Sequence, residues 1–486
     1  MIPEGIPAPV ATEPLPAKRI KRNMAELLFF LIISSGCAFF AERADRKFEE
    51  VLPIMCLGIT MILFLFGIAG ILNAGVYLVM AVSAVLWLDF FYNLIRKKDL
   101  KTIKRNLVTP GSLFFALVYF ALVFLNKGKL AAEYDEFTHW IDCVKEMVYL
   151  NDFVTDPASG SMFASYPPSM ALFQYFYQKT ALLMNPGSGF TEWRCFHAFQ
   201  ILFLSAFLPF FSNLTFKKPF TVCVYYFTVI VMPLFYYACY SNILIDPFVG
   251  LIAGAGLSRI FLKQNKDRFY TMYMILLVCV LALAKDAGQY FALFIAVFYA
   301  ADALSEGKKE GKISLKRIIS AMLPFISILI SRLLWKAEIV RSGTMVAFGG
   351  RIDFIGFGKL LLSGGGEGYK KITVSNFIDA FFEKRIGITA LDIQINYFLI
   401  FFVNAFLLLV AWKLLSNREP VVKNLRRIMI FGALVQTVIY VYSLGATYIS
   451  NFSEGEAMSL AAYNRYMSIG FLPLWIMILL SFLYYL

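Results

Sequence analysis

Charge is what this chain has least of. Only 16% of its 486 residues are charged, against roughly 25% in a soluble domain, while 59% are hydrophobic. That balance excludes a freely soluble globular protein. Histidine is scarcer still, with two residues, and the seven cysteines form no CxxC pair and fall mostly inside apolar runs. The cysteines therefore read as small packing residues rather than as a metal or disulfide framework. The glycine-rich run Gly364-Gly365-Gly366-Glu367-Gly368-Tyr369 lacks the Lys-Ser/Thr that completes a phosphate-binding loop. It is expected to be a flexible lid or acceptor loop, not a nucleotide site. There is no cleavable signal pattern and no internal repeat; residues 1–23 read as a polar, Pro-rich tail carrying Lys18-Arg19-Ile20-Lys21-Arg22.

What is abundant is apolar sequence in long runs. Candidate spans fall near 24–41, 51–70, 74–94, 109–126, 192–213, 219–238, 245–263, 269–284, 287–304, 318–334, 395–414, 427–445 and 468–484. About thirteen such runs, within a range of about 11–14, predict an all-α polytopic membrane protein. The aromatic content of 17% suits lipid-facing helices and interfacial belts. The net charge of +13 would suggest nucleic acid in a soluble protein. Here the basic residues sit in short loops, where they act as topology signals, so the expected partner is the lipid bilayer and not nucleic acid. The loops at 96–105, 217–218, 263–268, 308–317 and 413–427 all fall on one side, which assigns them to the cytoplasm. The outer face then carries 127–191, 239–244, 335–394 and 446–467. Counting back through three spans places the N-terminus outside, whereas its own Lys/Arg cluster argues for inside.

The longest hydrophilic stretches are thus outer loops, which is where the chemistry is expected. A carboxylate cluster beside hydrocarbon is costly unless solvated, paired or functional. Glu133-Tyr134-Asp135-Glu136-Phe137-Thr138-His139-Trp140 is such a cluster. From Asp135 to Asn151, Phe137, Trp140, Ile141, Val144, Met147 and Val148 recur at three- and four-residue spacing, which predicts a short amphipathic helix at the interface. Asp135 and Glu136 could simply cap that helix, since acids favour a first turn. His139, four residues after Asp135, is expected to share its face and orient it by a hydrogen bond. A metal held by His139 with Glu136 or Glu133 would lack a further His or Cys; no metal or other cofactor is expected. A second aromatic helix should open after Tyr166-Pro167-Pro168. Phe377 to Arg385 reads as a further amphipathic helix.

Several of these elements, in order, resemble the membrane glycosyltransferases of the GT-C superfamily, nearest to protein O-mannosyltransferases and lipid A aminoarabinose transferases. The resemblance rests on Asp135-Glu136, Asn151-Asp152-Phe153, Tyr166-Pro167-Pro168, Arg194, Asp246-Pro247, Lys285 with Gly288, and Tyr463-Asn464-Arg465-Tyr466 after the acidic stretch 453–456. It covers roughly 109–300 plus the last outer loop. It implies a GT-C type fold in a bacterial plasma membrane, with extra helices at 24–108, a core at 109–334 whose catalytic outer loop is 127–191, a second outer loop at 335–394 and closing helices at 395–486. It implies transfer of a sugar from a polyprenyl phosphate-linked donor to an envelope glycan, lipid or protein on the outer face. Asp135 and Glu136 would then be catalytic. Lys285, Arg194, Arg465 and Tyr466 would hold the donor phosphate. His139, Trp140, Tyr166, Asp246 and Gln289 would bind or orient substrate. Tyr166 stands where the family has lysine, and Ser165 where some members have an acid, so a phosphate contact and a second catalytic carboxylate do not carry over there. The competing readings are a transporter or flippase, whose charges would line a path through the bundle, and a polymerase or ligase of lipid-linked glycans.

Overall fold

The computed structural model describes residues 16–97, 99–234, 239–262, 267–309, 314–346, 350–363, 366–383, 385–388, 393–418 and 423–486. The described residues form a helical bundle with one short antiparallel strand pair. In order it forms α1 (Pro16–Arg43), α2 (Phe48–Ile68), α3 (Leu72–Lys97), α4 (Leu100–Leu107) and α5 (Pro110–Asn126). A π-helical turn (Glu136–Trp140) then leads into α6 (Ile141–Leu150), followed by α7 (Ser169–Met184), α8 (Glu192–Phe207), α9 (Pro219–Val231), α10 (Ile245–Phe261) and α11 (Arg268–Ala282). Next come α12 (Asp286–Lys309), α13 (Leu315–Ser342), α14 (Phe354–Leu362) and α15 (Gly368–Phe382). The antiparallel strands β1 (Arg385–Ile388) and β2 (Ile393–Asn396) precede α16 (Tyr397–Arg418), α17 (Lys423–Asn451), α18 (Glu454–Ser459) and α19 (Tyr463–Tyr485).

Among the described residues, nine helices are long and apolar enough to cross a membrane, or ten if α4 and α5, bent by 57°, form one span. This corrects the expected number. Of the runs at 219–238 and 269–284, the described residues form helices Pro219–Leu234 and Arg268–Ala282, too short for that test, since a crossing needs about 20 residues. The run at 245–263 becomes α10, 17 residues long and buried along its whole length. Two boundaries also move. α1 begins at Pro16, inside the segment read as a tail, of which residues 1–15 lie outside the described residues. α13 continues to Ser342, so the loop expected from 335 starts later. Within that loop the expected helix over Phe377–Arg385 is part of α15, and Arg385 opens β1 instead. Gly364 and Gly365 lie outside the described residues, so the expected lid is not described there.

Polar ties sort the loops into two ends. At one end Arg43 pairs with Asp89, Arg105 with Asp45, and Arg46 with Asp267, which joins the basic loops to one another. At the other end Thr155 Oγ1 donates to Glu338 at 2.8 Å, Trp335 Nε1 donates to the Ser165 carbonyl at 3.2 Å, and the Phe153 ring fills the space left by Gly67. Glu26 settles the direction of α1. Its carboxylate meets Arg194 at 3.0 Å, beside the 127–191 loop, while Arg43 at the far end of α1 meets Asp89 in the second half of α3, toward the 96–105 loop. α1 is therefore a span whose first turns lie at the end opposite the basic loops. The N-terminal Lys/Arg cluster therefore lies at the end opposite the other basic loops, as counting back through the spans expects and its own charge does not. Single cysteines at Lys129 and Met24 should accordingly react with an impermeant reagent from one side of the membrane, and one at Lys101 from the other. Labelling of Met24→Cys together with Lys101→Cys would overturn this arrangement.

Two close approaches position the site. Gly250 and Gly254 on α10 lie one turn apart and admit α19: a Cβ at these positions would sit 2.9 Å from Leu472 Cβ and 2.8 Å from Ile476 Cβ. Small residues four apart let helix backbones approach in this way. The second is the break between α11 and α12. A Cβ at Gly288 would meet the Leu281 carbonyl oxygen at 2.1 Å. Carbonyls freed at the break are taken up by Ser169, whose N–H bonds Leu283 and whose hydroxyl bonds Val280, both at 2.9 Å.

Candidate active site

The chain leaves α5 and turns back into the bundle at Glu136, which is 1% exposed. Its carboxylate accepts three backbone N–H bonds: from Ala132 at 2.9 Å, Glu133 at 3.1 Å and Ile243 at 2.9 Å. Glu136 therefore stitches the π-helical turn to the segment before α10; it does not face the cleft as a second carboxylate for chemistry. Glutamine at 136 keeps only one acceptor oxygen and leaves at least one buried N–H unpaired, a loss of about 1–3 kcal/mol. Thermal unfolding of purified Glu136→Gln should show that loss, and unchanged stability would remove the stitch from the account.

Asp135, next to this anchor, is half-buried and turned outward. Its carboxylate pairs with Arg465 at the start of α19. Arg465 Nε approaches Asp246 Oδ2 to 3.1 Å as an ion-pair contact, not as an aligned hydrogen bond. Asp246, in the first turn of α10, accepts a 2.6 Å hydrogen bond from Lys285 Nζ at the α11–α12 break. Burial works against the charge on Lys285 more than any single neighbour favours it, but Asp246, Tyr166 and Tyr466 together outweigh it and hold the lysine above its ordinary pKa. Tyr466 closes the group: its hydroxyl accepts from Arg465 Nη2 at 3.0 Å, and its ring lies 4.9 Å below Lys285 Nζ. Four elements thus supply an alternating chain, Asp135–Arg465–Asp246–Lys285, with formal charges that cancel.

This chain borders an open cleft of ≈ 500 Å³ lined by Tyr134, Asp135, Leu244, Ser459, Leu460 and Arg465. The wall between α18 and α19 turns through two left-handed residues, Leu460 (φ 51°) and Ala462 (φ 56°). Such backbone is disfavoured for residues with a Cβ. It is held here by Tyr448 Oη on the Ala461 carbonyl at 2.7 Å and by Asn376 Nδ2 on the Met458 carbonyl at 2.8 Å.

The remaining expected residues divide. His139, Trp140 and Tyr166 form an aromatic group near Lys285, with ring centroids 4.7 Å apart for His139–Tyr166 and 5.7 Å for Trp140–Tyr166. His139 does not orient Asp135. Its Nδ1 lies 3.4 Å from Cys143 Sγ, because the π-helical turn carries more residues per turn and takes the i,i+4 pair off one face. Burial first, and Lys285 second, push the His139 pKa down to about 3, so the ring is neutral. Among the described residues no three His, Cys, Asp or Glu side chains are grouped to hold a metal ion. Arg194 lies apart from the Asp246 chain, in its buried pair with Glu26 and on Thr191 Oγ1 at 2.7 Å. Gln289 is half-buried near the start of α12 and does not join the ion-pair chain. The expected interfacial helix is present as α6, but Ile141, Val144, Met147 and Val148 pack into the bundle core, and only Phe137 of the stripe is exposed. Sequence reasoning missed Gly250 and Gly254, whose four-residue spacing was the available signal. It also missed Glu26, whose signal was a carboxylate inside the first apolar run.

Comparison of the chain with protein-family models, with curated proteins and with solved structures finds no match.

Proposed function

We propose that this chain is an integral membrane glycosyltransferase that takes a sugar from a polyprenyl phosphate-linked donor. The acceptor is an envelope glycan, lipid or protein on the outer face of a bacterial plasma membrane. The observation that carries the reading is the meeting of two cations, Arg465 and Lys285, with Asp135 at one end of the bundle beside an open cleft. The same residues carry the GT-C resemblance of the sequence. A transporter would instead need charges along a path through the bundle.

The mechanism follows from the charge balance. A donor phosphate competes with Asp135 for Arg465, and Lys285 adds a second cation on the far side of Asp246. Arginine offers paired donors for phosphate and lysine a point charge. Displaced from Arg465, the Asp135 carboxylate is free to accept the proton of the acceptor hydroxyl. The hydroxyl oxygen attacks the anomeric carbon, the bond from that carbon to the phosphate oxygen breaks, and the polyprenyl phosphate leaves with both electrons of that bond. Donor binding and activation of the base are one event in this scheme. Asp246 keeps both cations in place throughout.

The test is binding and transfer by purified protein in lipid nanodiscs. Lys285→Ala and Arg465→Ala should each weaken polyprenyl phosphate binding about 10- to 100-fold, the worth of a charge-assisted contact of roughly 1.5–3 kcal/mol. Normal donor affinity and turnover in both variants would refute the phosphate site.

A further inference from the structure

Helix α14 shows apolar residues on both of its sides. Phe357 points inward, 1% exposed, against Phe377 of α15 and Tyr442 of α17. The opposite arc carries Ile355, Lys359 and Leu362, with Ile355 75% and Leu362 92% exposed. At 100° per residue these positions fall on one continuous face. Met345 and Val346, after α13, are likewise exposed. In water such a contiguous apolar face is unfavourable, and it marks a surface that something covers.

The depth of α14 identifies the cover. Tyr442 Oη donates to the Phe354 carbonyl at 2.6 Å, and a Cβ at Gly445 would meet the Phe357 ring at 2.3 Å. Tyr442 and Gly445 lie nine and six residues before the last residue of α17, or about 13 and 9 Å below its end. The stretch of α17 that qualifies as a span is 28 residues long. That is about 42 Å, against about 30 Å of hydrocarbon. α14 therefore meets α17 near the upper edge of the hydrocarbon. The neighbouring helix faces continue the same apolar surface: Phe431, Val438 and Ile439 on α17, and Phe402 and Phe406 on α16, are exposed.

We propose that α14 lies in the bilayer leaflet at the cleft end, with Ile355 and Leu362 among the acyl chains and the Lys359 ammonium at the phospholipid phosphates. Long basic side chains reach the headgroups from such a position. The bilayer then also backs the candidate site. Phe357 packs edge-on against Phe377 at 6.2 Å, and Phe377 edge-on against Tyr463 at 5.7 Å, two residues before Arg465.

The test uses the full chain with Cys223→Ser, which removes the exposed cysteine, in vesicles of phosphatidylethanolamine and phosphatidylglycerol. Nitroxide labels are placed singly at Ile355→Cys, Leu362→Cys and, as a water-exposed control on α18, Glu454→Cys. Collision with oxygen should exceed collision with a water-soluble nickel chelate at 355 and 362, and the order should reverse at 454. Water-like accessibility at 355 and 362 would overturn the proposal. So would spin–spin broadening there that grows with protein-to-lipid ratio, which would make a second copy the occupant.

Discussion

Asp246→Ala is expected to be among the most destabilising single changes at the cleft end. Asp246 is 1% exposed and, among the described residues, is the only carboxylate that contacts both Lys285 and Arg465. Its removal leaves two largely buried cations with Asp135 as the remaining partner, and breaking a buried pair in this way costs about 3–5 kcal/mol. Differential scanning fluorimetry of purified protein should record the loss. A double variant, Asp246→Leu with Lys285→Met, should recover part of it, since an apolar replacement of both partners leaves no orphaned charge. If Asp246→Ala unfolds like the native chain, the ion-pair chain does not organise this end of the bundle.

Asp135→Asn is expected to leave the fold intact and stop the chemistry. Asparagine keeps the size of the side chain and much of its hydrogen bonding but cannot take the acceptor's proton, so turnover should fall by at least ~10²-fold. Donor affinity should hold or rise, because the phosphate no longer competes with a carboxylate for Arg465. A capping role predicts otherwise, since asparagine caps about as well as aspartate. The structure already weighs against capping: the Asp135 side chain makes no cap hydrogen bond to the turn it precedes. Near-normal transfer from a polyprenyl phosphate sugar by purified Asp135→Asn would remove the general-base assignment.

The candidate site was legible in the sequence as a set of residues but not as an arrangement. Asp135 stands out because a carboxylate cluster beside an apolar run is costly, whereas Asp246, Lys285 and Arg465 enter as site residues through the GT-C resemblance. Nothing local says that Arg465 meets Asp135 across 330 residues. Glu136 looked equivalent to Asp135 because neighbouring carboxylates are chemically alike. They differ in that one of Glu136's three N–H partners comes from Ile243, 107 residues away. His139 was placed on the wrong face because the spacing rule assumes an α-helix, and this turn is π-helical. Arg194 looked like a phosphate ligand because its partner, Glu26, lies 168 residues earlier.

Membrane class, the long helices and the common side of the basic loops followed from the sequence alone. Those properties are sums over contiguous residues: apolar length decides crossing, and Lys/Arg in short loops decides side. The tertiary structure decided which apolar runs are long enough as helices, where α1 points, and which charges pair. Ion pairs form where helix axes approach, and that approach depends on the Gly250 and Gly254 seam against Leu472 and Ile476. It depends equally on the break that Gly288 permits between α11 and α12. Both are contacts between distant segments, set by side-chain volume at a packed interface, which no window of neighbouring residues contains.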